Sequence, residues 1–247
     1  MYIYDDGLKL NAKLDMPLND EKKCPLCLIF HGFTGDIEEE HIVAVSKAMN
    51  DVGVATLRVD LYGHGKSDGE FRNHNLYKWI NNIMTAIDYA KTLDFVTDIY
   101  LCGHSQGGLA ITLAAAMEKD VVKAIIPLSP AYVIIKGANE GELLGQPFDP
   151  VHIPNEIVSW DERTLSGDYI RVAQSIDLEG AMRKYDGKVL LVHGDADATA
   201  PVQFSIDASK IFSDCRLELI KDDEHCYEKH LDKVVEVVKD FIQELLP

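Results

Sequence analysis

The chain has 247 residues, 47% of them apolar, which suits one α/β domain with a substantial core. A formal net charge of −17, without any concentrated basic patch, excludes nucleic acid and anionic membrane surfaces as expected partners. The N-terminus shows no signal peptide and no apolar run reaches membrane-spanning length; with an odd count of five cysteines, this points to a reducing, cytoplasmic setting.

In chain order, residues 1–5 and 8–16 read as an antiparallel start, with period-two alternation and an Asp6-Gly7 turn between them. Cys24 to Phe30 is a continuous apolar run, expected as a strand buried on both faces. Cys24-x-x-Cys27 lies at the start of that run with no second Cys/His pair at metal spacing, so no metal or redox role is assigned to it. The run ends in the glycine-bearing loop His31-Gly32-Phe33-Thr34-Gly35. A helix over 38–52, a strand over 54–60 and a glycine-rich loop at 63–69 follow. Leu76 to Leu93 forms a long amphipathic helix and 97–102 the next strand.

That strand runs into Gly103-His104-Ser105-Gln106-Gly107-Gly108 and then an alanine-rich helix to about Glu118. A strand, a Gly-x-Ser-x-Gly turn and a helix together hold a serine at a strained apex with its hydroxyl exposed. Val121 to Leu128 is another buried strand. From 129 to 177 proline and glycine break the pattern and aromatic residues intervene, as in a lid or binding insertion. Residues 188–193 form a strand, about 202–212 a helix, 215–221 the last strand, and a striped helix closes the chain. The alternation predicts a mostly parallel sheet covered on both faces, with ligands beyond the strands' carboxyl ends.

A serine hydroxyl needs a base, and the base needs an anion to hold its tautomer. His225, after the last strand, is chosen as base. His31 and His193 are read as structural and His104 as pointing away from the serine. His41, His64, His74, His152 and His230 are read as loop or surface residues. Asp197 is chosen as the acid with Asp195 as competitor, since only their reach distinguishes them. The order Ser105, Asp197, His225 agrees with the order expected when such a turn opens a hydrolase site. The backbone N–H groups of Phe33 and Gln106 are the expected oxyanion hole, with the Phe33 ring a candidate wall of the acyl pocket.

On the residues His31-Gly32-Phe33, Asp60 to Ser67, Gly103 to Gly108, His193 to Asp197 and His225, the chain resembles the α/β-hydrolase fold family over its full length. The resemblance implies an eight-stranded, mostly parallel sheet in one domain over 1–247, with 129–177 as a lid after the sixth core strand. It favours Asp197, the fifth residue from His193. The segments 144–150 and 169–174 are similar to the small bacterial feruloyl (cinnamoyl) esterases. By that resemblance Gln146 and Tyr169 would meet the phenolic end of a hydroxycinnamoyl group and Trp160 would be an aromatic wall.

The expected activity is hydrolysis of an aromatic acyl ester of a sugar or small alcohol through an acyl-enzyme on Ser105, with no cofactor or metal. The alternatives are a short-chain acyl esterase, monoacylglycerol lipase or thioesterase, and a triad-bearing ligand sensor with a protein partner. The oligomeric state, a homodimer included, is left open.

Overall fold

The structure, a computed structural model, describes residues 1–18 and 22–246. Strands β1 (Tyr2–Asp5) and β2 (Leu8–Asp15) form the expected hairpin. Asp6 and Gly7 both take positive φ, the condition for a two-residue turn whose twist matches the strands. There follow β3 (Cys24–Phe30), α1 (Glu40–Asp51), β4 (Ala55–Val59), α2 (Leu76–Lys91), β5 (Val96–His104), α3 (Gln106–Met117) and β6 (Val122–Leu128). After residue 177 come α6 (Leu178–Lys184), β11 (Lys188–Gly194), α7 (Gln203–Ala208), β12 (Cys215–Ile220) and α8 (Leu231–Leu245).

Eight of these strands make one sheet in the order β1-β2-β4-β3-β5-β6-β11-β12. All pairings from β4 to β12 are parallel, while β2 runs antiparallel to both its neighbours. Buried on both faces, β3 is apolar throughout, which is why it reads as a solid run rather than an alternation. One face of the sheet is covered by α1 and α8 and the other by α2, α3 and α6. The alanine-rich α3 is buried almost all round, as its lack of a polar stripe requires.

The chain leaves β3 for β4 on one side and returns to β5 on the other. The carboxyl ends of β3 and β5 therefore flank a topological switch point, where such sheets open a crevice.

Residues 129–177 are more regular than their breakers suggested. They hold α4 (Val133–Glu140), the hairpin β7 (Glu142–Leu143) with β8 (Gln146–Pro147), the hairpin β9 (Glu156–Val158) with β10 (Thr164–Ser166), and α5 (Asp168–Gln174). Gly141 closes α4 with φ +84, so the glycines punctuate short elements. Ile134, Leu143, Ile157, Leu165, Tyr169 and Ile170 join the core beneath the sheet's rim.

His41 is buried within α1, which corrects its reading as a loop or surface residue; His64 and His74 lie in loops as expected but are buried, and His152 is exposed as expected. The rings of His31, His64 and His74 pack on Trp79, and a local scan of polarity cannot show such packing.

Candidate active site

At the end of β5 the chain reverses into α3 through Ser105, whose φ of 54° and ψ of −119° lie outside the regions open to most residues. Its N–H donates to Leu128 at 2.9 Å, and its carbonyl accepts from Leu109 and Ala131 at 3.1 and 3.0 Å. Neighbouring sites tolerate no side chain. A Cβ on Gly103 would lie 2.6 Å from the Gly107 carbonyl, and one on Gly107 would strike the carbonyl of His31. The glycines thus hold the strained turn shut, and the serine projects from it.

Ser105 Oγ stands 2.9 Å from His225 Nε2, and His225 Nδ1 stands 2.6 Å from Asp197 Oδ2. The other Asp197 oxygen accepts N–H bonds from Thr199 and Ala200, both at 2.8 Å. Burial works to raise this carboxyl, but hydrogen bonds from His193 and His225, the charge of His225 and the Ala200 amide outweigh it and hold it well below the usual carboxylate range. Asp195 takes another place: its carboxylate accepts the Asp222 N–H and fastens the two strand-end loops together.

Two further residues brace this chain: His193, read in the sequence as structural, and Asp223, which the sequence did not single out. The Nε2 of His193 meets the Ala200 carbonyl at 2.7 Å, so that nitrogen carries the proton and also donates to Asp197 at 3.1 Å. Buried Asp223 accepts the N–H groups of Glu224, Lys229 and His230 and so shapes the loop carrying His225. Nothing in a run of acids, Asp222-Asp223-Glu224, marks which one turns inward. His104 points away from the serine as expected, and its Nε2 donates to the His225 carbonyl at 2.9 Å.

Phe33 and Gln106 sit on the two sides of the switch-point crevice. Their backbone amides find no acceptor among the described residues. The loop carrying Phe33 is braced from below, where His64 Nε2 faces the Thr34 amide at 3.4 Å and His31 Nε2 accepts from Leu61 at 2.9 Å. Burial lowers His31 to about 4 and His64 to about 3, so both are neutral acceptors near pH 7. The Asp60 to Ser67 segment is structural: Asp60 accepts from Asn11, Ile37 and Lys66.

Ser105 and His225 open into a cavity of about 1000 Å³. Phe33, Trp160, Tyr169, Ile134 and Leu143 line its apolar side. Trp160, at the tip of the β9–β10 hairpin and half exposed, meets the Phe33 ring at 5.1 Å. The Tyr169 hydroxyl is occupied: it donates to Gln106 Oε1 at 2.6 Å. Gln146 is a correction, since it lies exposed on the β7–β8 hairpin and outside the cavity lining. A second cleft of about 550 Å³, beside Asp60 and Lys66, brings no nucleophile and base together.

Residues 21–166 match the Hydrolase_4 family, described as serine aminopeptidase, S33. Est1E from Butyrivibrio proteoclasticus, solved with ferulic acid bound, superposes with a TM-score of 0.97 at 58% identity, over 99% of this chain and 98% of that one. Among curated proteins, a palmitoyl-protein thioesterase ABHD10 of Rattus norvegicus is 23% identical over 73% of this chain and 57% of its own length. An uncharacterized 31.7 kDa protein from the traX-finO intergenic region of Escherichia coli is 30% identical over 49% of this chain and 43% of its own length. The chain spans about half the length of these two curated relatives. With a family match that covers more than half of the sequence and runs through the Ser105 turn, and a full-length likeness to Est1E, this chain belongs to the Hydrolase_4 family of α/β-hydrolase-fold proteins.

Proposed function

We propose that the protein is a serine carboxylic-ester hydrolase that cleaves hydroxycinnamoyl esters of the feruloyl type, with Ser105 as nucleophile, His225 as base and Asp197 as orienting acid. The reading rests chiefly on one observation: a continuous Ser105–His225–Asp197 hydrogen-bond chain opens into a cavity walled by Phe33, Trp160 and Tyr169. The likeness to a protein that binds ferulic acid supports the acyl side.

As Ser105 attacks the ester carbonyl, His225 Nε2 takes its proton, and Asp197 stabilises the imidazolium that results. The carbonyl oxygen becomes an oxyanion facing the free amides of Phe33 and Gln106, each such donor being worth ~2.7–4 kcal/mol to the transition state. His225 returns the proton to the departing alcohol and then activates the water that releases the acid. A flat aromatic acyl group suits the rings of Phe33 and Trp160, which accept its faces and edges. Tyr169 supports the same site through Gln106, holding the helix end that bears an oxyanion amide. Residues 129–177 act as the lid of a single domain.

The test is a panel of methyl ferulate, acetyl, long-chain acyl, thioester and aminoacyl-amide substrates with the wild-type chain and Ser105→Ala. Wild-type turnover fastest on methyl ferulate, abolished in a folded Ser105→Ala protein, is the expected result. Preference for thioesters or amides would reject the substrate assignment, and activity surviving Ser105→Ala would reject the nucleophile.

A further inference from the structure

Beside the triad lies a second group of side chains that hydrolysis does not use. Glu39 Oε2, His41 Nε2 and His104 Nδ1 come from three side chains and lie within 4.8 Å of one another. None of the three atoms has a hydrogen-bond partner among the described residues, although all are out of contact with solvent. Both imidazoles are buried, at 4% and 3% exposure. Buried polar atoms normally find partners, so three orphans facing one point ask for a single species that satisfies them together.

We propose that Glu39, His41 and His104 form a binding site for a divalent transition-metal ion of the zinc type, and that the bound ion inhibits the hydrolase by restraining the loop that carries His225.

The donor chemistry fits. His104 Nε2 donates to the His225 carbonyl, so its Nδ1 is a bare lone pair aimed at the cluster. A histidine that ligates through one nitrogen and donates from the other to a backbone carbonyl is the arrangement seen at metal centres, where the second bond fixes tautomer and orientation. Two imidazoles and a carboxylate, with a position left for water, are a set that zinc accepts. Donors ~2.0–2.1 Å from an ion stand about 3.3 Å apart; Glu39 and His41 stand 3.9 Å apart and all three donors lie within 4.8 Å, so binding an ion draws the side chains together.

Surroundings and access favour a cation as well. Glu39 and His104 line the cavity that holds Ser105, which gives an ion a route in. The same cavity is lined by Glu140, Glu142, Glu224 and Glu228 against a single lysine, Lys136, so its field concentrates cations. Glu39 stands at the N-cap of α1 without capping it, which leaves its carboxylate available to offset the positive helix end. Burial, reinforced by the charge of Asp36, raises Glu39 to about 7, and burial lowers His41 to about 4; near neutrality an ion needs to displace at most the one carboxyl proton.

The coupling to catalysis is direct. The His104 ring lies 4.8 Å from the His225 ring and holds that residue's carbonyl. An ion on His104 therefore pins the loop and places positive charge beside the imidazole that must become cationic during turnover.

The experiment uses chelator-treated full-length protein, titrated with Zn²⁺ and with Co²⁺. One Zn²⁺ per chain by equilibrium dialysis, a visible Co²⁺ absorption band, and inhibition of ester hydrolysis reversed by chelator are expected. His41→Gln and Glu39→Gln, checked for folding by circular dichroism, should each lose the Co²⁺ band and raise the half-inhibitory Zn²⁺ concentration at least tenfold. Absence of stoichiometric binding, or wild-type binding and inhibition in both variants, would overturn the proposal. The partly exposed Glu39 supplies a usable variant if His41→Gln does not fold, and stoichiometry and spectrum are read without any ester, so they stand apart from the substrate assignment.

Discussion

Asp195 and Asp197 leave the same strand two residues apart, yet they meet different partners. Four donors converge on Asp197, from His193, His225, Thr199 and Ala200, and they hold it as an anion beside the imidazole that the proposed mechanism makes cationic. Asp195 accepts a single loop amide. Replacing Asp197 by Asn removes the anion and offers His225 the wrong tautomer, so kcat on methyl ferulate should fall by about 10⁴-fold. Asn at 195 keeps an acceptor oxygen, and activity should stay within about twofold, the ~0.5 kcal/mol typical of surface changes. Steady-state kinetics of the two variants decide the assignment, and the reverse ranking would exchange the residues.

Individual elements carry the site because each strand ends where the sheet's carboxyl edge opens, and the segment after it bears the residue: Phe33 after β3, Ser105 after β5, Asp197 after β11 and His225 after β12. The β5–α3 turn has no slack. Gly107→Ala places a methyl group against the His31 and Phe30 carbonyls, backbone that cannot rotate aside. A loss of about 2–3 kcal/mol in stability is expected from this overpacking, readable as a lowered denaturant midpoint, and an unchanged midpoint would show that the turn can shift. The β9–β10 hairpin is the opposite case, since its tip presents half-exposed Trp160 to Phe33. Trp160→Ala should lower kcat/KM for methyl ferulate up to about tenfold, the ~0.5–1.5 kcal/mol of an aromatic contact, while acetyl esters change little. Equal losses on both substrates would remove the aromatic wall from the proposal.

Over the whole molecule, the buried histidines make the fold sensitive to acid. Burial lowers His31 and His41 to about 4 and His64 and His74 to about 3, and it pushes His104 down as well. Below pH ~6.5 the unfolded chain takes up protons on these residues and the folded chain does not, so stability falls as pH drops through the window from ~6.5 to about 3–4. Glu39, raised to about 7, works in the other direction, and one carboxyl does not offset five imidazoles. The melting temperature at pH 5 should therefore lie clearly below that at pH 7, and equal or higher stability at pH 5 would contradict the neutral assignments.

Much of this was legible in the order of residues alone, because the signals were local. Apolar runs marked β3 to β6, the glycines at 103 and 107 marked the turn with Ser105, the end of the last strand pointed to His225, and the family resemblance favoured Asp197 over Asp195. Short elements escaped, among them α4, α5 and α6, since one or two helical turns leave too few positions for a period to show. Folding also decided whatever depends on where a side chain points. It left Gln146 exposed and buried His41, His64 and His74, committed the Tyr169 hydroxyl to Gln106, and brought His193 onto Asp197 and Asp223 into the loop that carries His225. Burial and hydrogen-bond partnership are properties of residues far apart in the chain, and only packing of the sheet, its helices and the 129–177 insertion brings those residues together.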